Sequence, residues 1–181
     1  MLHWVVIIII IALSVQVFPV ALGLRREEGF NHTIWYALLL LTGQVVMFLA
    51  GYVLGSRFMH LMDDLKGIVL FVGFSLISIR MIIDSFKVRR GERTFDLSNT
   101  LSVVLASLVQ AINTFLAAML LTYLPFERQW LSMILTISTL IMIGSATIMK
   151  PGKTSLSLSS LLFFLGGIWM LFASVFLGFY R

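Results

Sequence analysis

The sequence has no cysteine, so disulfides and thiolate metal sites are both excluded. Charge is scarce as well: 12% of the residues are charged against 60% hydrophobic, and the mean hydropathy is +1.04. A soluble domain of 181 residues needs more polar surface than this, which makes the chain a polytopic membrane protein. Of the eight acidic residues, only Asp84 falls inside an apolar segment. That shortage matters, because a divalent cation entering a low-dielectric bundle needs carboxylates to offset its desolvation. The three histidines, His3, His32 and His60, fall at segment ends or in loops without ligand-like neighbours. There is no nucleophile with a base and no glycine-rich phosphate loop, so the chain does not read as an enzyme. The formal net charge of +5 comes from basic residues in short loops, an orientation signal rather than a nucleic-acid footprint.

What is present is long apolar runs. Six can be counted, roughly 2–24, 34–56, 67–86, 98–124, 130–149 and 155–180, each near the ~20 residues a spanning helix needs. The connections, 25–33, 57–66, 87–97, 125–129 and 150–154, leave no room for a soluble domain. The expectation is an all-α, single membrane domain over 1–181 with six transmembrane helices. The first run lacks a basic start and a small-x-small cleavage site, and it exceeds the usual length of a signal-peptide core. It reads as a retained span. Trp4, Trp35, Tyr36, Tyr123, Trp130 and Tyr180 fall near segment ends, as interfacial aromatics do.

Basic residues set the orientation. The first, third and fifth connections hold Arg25, Arg26, Lys87, Arg89, Arg90, Arg93, Lys150 and Lys153. The other two connections and the C-terminus hold Arg57, Lys66, Arg128 and Arg181. The positive-inside rule then places both termini outside the cytoplasm, in a multi-pass protein of the inner (plasma) membrane. Segments one to three and four to six enter from opposite faces, which is the geometry of an inverted repeat over 1–90 and 97–181. Aligning Gln16 with Asn113 also aligns Phe18 with Phe115 and Ala21 with Ala118. Chance agreement between two apolar helices would look similar.

Polar residues at membrane depth stand out against this background. Gln16 and Pro19 lie in Ser14–Gly23, and Gln110 and Asn113 in a second cluster. Gln44, Arg80 and Asp84 complete the set, with weaker hydroxyls such as Ser14, Thr114 and Thr139. Pro19 removes a backbone donor and should free a carbonyl near residue 15, kinking the helix there. A lone polar group in lipid is costly, so each should face the bundle interior or a cavity. Gln16, Gln44, Asp84, Gln110 and Asn113 therefore become the candidate substrate or ion pathway. The amides could equally be interhelical glue. Arg80 and Asp84 are four apart and can form a charge pair, either a helix-end anchor or a gate. Gly51 and Gly55 form a small-xxx-small pattern for close helix packing.

Certain of these residues resemble a known family. Arg80-Met81-Ile82-Ile83-Asp84-Ser85-Phe86 is similar to the Gly-Arg-Met-Ile-Ile-Glu-Gly-Phe stretch of the bacterial MntP-type manganese efflux pumps, grouped with the LysE-type exporters. Ser14–Gly23 resembles that family's Ser-Met-Asp-Ala-Phe-Ala-Ala-Ser-Ile-Gly motif. The resemblance implies six helices, an inverted repeat and ion transport. It also locates the departures. Gln16 and Asn113 stand where the family has an Asp, Gln44 falls where it has an acid, and Asp84 replaces a Glu.

Two functions follow. One is a transporter whose amide site suits a monovalent cation, an amphipathic solute or a weakly bound metal, with any proton coupling resting on Asp84. The alternative is a transport-inactive, MntP-like structural subunit of a larger membrane complex. No cofactor is implied beyond a bound cation. The partners expected are the lipid bilayer and either a homo-oligomer or a larger membrane complex, with no nucleic acid.

Overall fold

The computed structural model describes residues 1–24, 30–91, 99–149 and 152–179. Arg25, Arg26, Arg93, Lys150 and Arg181 of the charge comparison, and the aromatic Tyr180, lie outside the described residues. The described chain is helical, with no strand among its described residues. Its elements are α1 (Leu2–Val15), α2 (Val17–Leu22), α3 (Phe30–Phe58), α4 (Lys66–Arg90), α5 (Thr100–Gln110), α6 (Ile112–Leu121), α7 (Arg128–Ile148) and α8 (Lys153–Gly178).

The Ile- and Val-rich run of α1 would be a poor helix in water, but hydrocarbon reverses that weighting. A backbone surrounded by apolar groups must satisfy its own donors and acceptors, and the helix does so within one segment. Elsewhere local chemistry sets the ends. Asn99 caps α5, its Oδ1 accepting from the Ser102 N–H at 2.8 Å. Gly91, at φ 74°, closes α4 after a last turn holding Lys87, Arg89 and Arg90, whose charges suit the negative end of the helix dipole.

Among the described residues, five helical stretches are long and apolar enough to cross a membrane: Leu2–Leu22, His32–Arg90, Thr100–Leu121, Arg128–Ile148 and Lys153–Gly178. This corrects the expectation of six separated segments. The connection at 57–66 is itself wound, as a 3-10 turn over Met59–Leu65, with Met62 alone off helical geometry. Its 59-residue stretch would extend about 90 Å if straight, some three times the hydrocarbon thickness. It does not run straight: α3 and α4 both pack on α6.

The first and fourth apolar runs are each broken. Gln16 separates α1 from α2, and Ala111 separates α5 from α6. Pro19 lies one turn past the first break, and the Gln16 N–H reaches back only three residues to Leu13 O, at 3.3 Å. The second break has no proline. There the Ala111 N–H keeps its bond to Ser107 O (3.1 Å), while Ala111 sits at ψ 1°, far from helical values.

The halves of the chain interleave. The broken helix α1–α2 packs on α7 and α8, and α5–α6 packs on α3 and α4. The α4–α8 pair is the most extensive, and it is antiparallel: Ser75 bonds Ser174 (3.0 Å), Ser78 donates to Gly167 O (2.6 Å) and Ser160 donates to Ser85 O (2.8 Å). Glycines set the closest approaches. A methyl on Gly51 would overlap the carbonyl of Phe115, and one on Gly55 would stand 2.7 Å from Met119 Cα. The small-xxx-small pattern thus lets α3 lie directly on the α6 backbone. Gly167 seats α8 on Ser78 and Ile82 of α4.

Each outer helix shows one buried stripe, as Leu131, Leu135, Thr139, Ile143 and Ala146 do on α7. Its other face, with Met133, Ile137, Leu140 and Ile141, is exposed and suits lipid. At one rim Tyr52 Oη donates to Phe126 O (3.2 Å) and Tyr123 Oη to Met59 O (2.6 Å), tying the 3-10 turn to the α6–α7 connection.

Candidate functional site

The two breaks bring polar side chains to one point. Asn113 Nδ2 donates to Gln16 Oε1 at 3.0 Å, and both residues are almost wholly buried. Gln16 Nε2 in turn points at Met81 Sδ of α4, 3.6 Å away. From α3, Gln44 Nε2 donates to Thr114 Oγ1 (2.7 Å) and to Leu13 O (3.3 Å). Leu13 O belongs to the last turn of α1, where helical bonding gives out; it accepts from the Gln16 N–H, and the Gln44 amide adds a second donor. Ser14 Oγ donates to Ile10 O (3.0 Å) and accepts from Thr139 Oγ1 of α7 (3.4 Å). Five of the six apolar runs therefore meet through side chains around Gln16.

Hydrogen bonding is incomplete in a patterned way. Gln44 Oε1, Asn113 Oδ1 and both amide atoms of Gln110 are buried and make no hydrogen bond among the described residues. All are neutral. A cation at this point would meet carbonyl and hydroxyl oxygens without a compensating negative charge, a poor match to a hard divalent ion. Among the described residues no three or more His, Cys, Asp or Glu side chains stand together in a metal-binding group.

The residues singled out by sequence separate here. Gln16, Gln44 and Asn113 come together. Gln110 is buried beside the second break but bonds to none of them. Asp84 lies one turn beyond Met81, is 6% exposed, and forms its ion pair with Lys87 (3.7 Å). This corrects the Arg80–Asp84 charge pair. The two share a helix face, but Lys87, one turn closer to the rim, meets the Asp84 carboxylate. Arg80 instead lines a cavity of about 330 Å³ between α4 and α6 that reaches Asn113. Met81 was missed by sequence reasoning, since a methionine in an apolar run carries no polarity signal. Its place three residues before Asp84, on one helix face, was the available hint.

A family model described as "Mntp: Putative manganese efflux pump" matches residues 27–177, most of the chain. The chain belongs to the Mntp family. That makes it a multi-pass membrane protein of a transporter family, and the matched stretch includes Gln44, Arg80–Phe86, Gln110 and Asn113. Ser14–Gly23, with Gln16, lies ahead of the stretch shared with Mntp. No curated protein and no solved structure matches the chain.

Proposed function

We propose that this Mntp-family chain is an inner-membrane transporter built like the manganese efflux pumps, and that Gln16, Gln44, Gln110 and Asn113 line its substrate pathway. The observation that carries the reading is the 3.0 Å contact of Gln16 with Asn113, at the breaks of both interrupted helices. Interrupted helices meeting deep in a bundle are a recurrent form of transporter site. Reading α3 and α4 as two crossings gives six spans, with α1–α4 and α5–α8 as inverted repeats and both termini outside the cytoplasm. The exchange of packing partners between halves supports that assignment, and rocking of one half against the other would then open the centre alternately to each side.

The cargo is a cation held more weakly than carboxylates would hold manganese. Amides at Gln16, Gln44 and Asn113 bring oxygen donors without charge, and Arg80 in the adjoining cavity adds a positive one. Asp84, paired with Lys87, is placed to couple a proton only at the rim of the pathway.

Flux into reconstituted vesicles tests this. Gln16→Ala and Asn113→Ala should each abolish transport while the protein still assembles in the membrane. The double variant Gln16→Asp/Asn113→Asp should tighten manganese binding by about tenfold or more, at least about 1.4 kcal/mol, and raise flux at subsaturating manganese. Undiminished transport by Gln16→Ala, or no gain from the double variant, would overturn the proposal.

A further inference from the structure

The cavity between α4 and α6 has a composition that cation transport leaves unused. Along α4 its wall is the stripe Val69, Gly73, Leu76, Ile77 and Arg80, and the facing wall on α6 is apolar except at Asn113. Leu76 and Leu116 flank it and are exposed on the lipid side, so it opens laterally toward the bilayer. At its polar end stand Arg80, which makes no ion pair among the described residues, and Asn113, 1% exposed, whose Oδ1 has no hydrogen-bond partner. The nearby carboxylate of Asp84 is paired with Lys87.

We propose that this cavity binds a single-chain amphiphilic carboxylate, its alkyl chain along the α4–α6 walls and its anionic head on Arg80. A guanidinium held away from water is costly unless an anion meets it, and its fork geometry matches a carboxylate. Asn113 Nδ2 is committed to Gln16, so the guanidinium rather than the amide supplies the donors. Depth selects the source of the anion. Arg80 lies ten residues, about 15 Å, from Arg90 and fourteen, about 21 Å, from Lys66 along the helix. A phospholipid headgroup does not sit that deep in a hydrocarbon core ~30 Å thick, whereas a carboxylic acid can enter protonated and ionise against Arg80. The proposal does not depend on the cation pathway, so either can fail without the other.

The full-length protein in neutral detergent provides the test. Dodecanoate should raise its unfolding temperature, while dodecanol and dodecylammonium at the same concentration should not. Arg80→Gln should remove the dodecanoate shift, and Arg80→Lys should restore part of it. A second readout leaves Arg80 intact: a Leu116→Trp reporter at the mouth should be quenched by a brominated fatty acid at about tenfold lower concentration than by the brominated alcohol. Equal quenching by acid and alcohol, or a full dodecanoate shift in Arg80→Gln, would overturn the proposal. So would equal stabilisation by phosphatidylglycerol, which would move the anion site to headgroup depth.

Discussion

Gln16, at the break of the first interrupted helix, has both ends of its amide engaged, Oε1 by Asn113 and Nε2 by Met81. At the second break, Gln110 has neither end engaged among the described residues, and Asn113 uses only its nitrogen there. The glycines that seat one half of the chain on the other also differ, but in the opposite sense. Gly51 of α3 meets backbone, the Phe115 carbonyl, whereas Gly166 of α8 meets the flexible end of Met81 at 3.2 Å. One break is held by its neighbours, and the other keeps unspent hydrogen-bonding capacity. In a transporter the second is where cargo has most to gain, because buried unpaired acceptors pay no further desolvation when an ion reaches them. The first break then works as the fixed side of the site.

The largest effect should come from breaking the backbone contact. Gly51→Ala places a methyl where the Phe115 carbonyl stands, and backbone cannot yield as a side chain does. The expected cost is about 3 kcal/mol, at the upper end for overpacking, or failure to assemble. Gly166→Ala should cost under about 1 kcal/mol, since Met81 can move aside. Thermal unfolding in detergent measures both, and a Gly51→Ala protein as stable as Gly166→Ala would remove the asymmetry.

Next comes the amide pair itself. Gln16→Leu breaks two side-chain contacts and leaves the Asn113 amide without its partner, a loss of about 2 kcal/mol on typical membrane values. Gln110→Leu removes a buried group that makes no hydrogen bond, so stability should hold or rise. If both variants lose stability equally, Gln110 is structural and the comparison between the two breaks fails.

Much of this was legible in the sequence, for physical reasons that can be named. Hydropathy located the apolar runs because hydrocarbon leaves a spanning chain no option but helix. Polarity located Gln16, Gln44 and Asn113, because an amide in such a run must find company. Four things stayed hidden. Met81 carries no polarity to mark it. The Ala111 break has no proline, so nothing local announces it. The ion pair of Asp84 went to Lys87 rather than Arg80, and i, i+3 and i, i+4 spacings are equally compatible with pairing until side-chain direction is known. The 3-10 turn at Met59–Leu65 was read as a plain connection, since its two Asp residues suggest solvent whether or not the backbone winds.

Pro19→Ala sharpens the comparison at lower energy. It returns an N–H to the vicinity of the Val15 carbonyl, but Gln44 still holds Leu13 O and Gln16 still holds Asn113. The second break shows that such an interruption persists without proline. Stability should therefore change by less than about 1 kcal/mol, and the bend should remain. The absence of native cysteine lets paired spin labels on α1 and α2 report the bend directly. A straightened helix in Pro19→Ala would make proline, rather than the amides, the cause of the first break.

A last pair of modest effects is at the rim. Tyr123 Oη holds Met59 O at 2.6 Å and Tyr52 Oη holds Phe126 O at 3.2 Å, so each half supplies one hydroxyl to the other's connection. Tyr123 is the shorter bond and the more buried ring, 9% exposed. Tyr123→Phe should cost about 1 kcal/mol and Tyr52→Phe about half that, the ordinary range for a neutral hydrogen bond. The discriminating measurement is hydrogen exchange over Met59–Leu65. The 3-10 turn should exchange faster in Tyr123→Phe, because Met59 O is its anchor to the α6–α7 connection, and should be unaffected in Tyr52→Phe, whose partner lies on the other connection. Equal acceleration in both variants would mean that the two tyrosines act as one clasp rather than as two separately anchored ends.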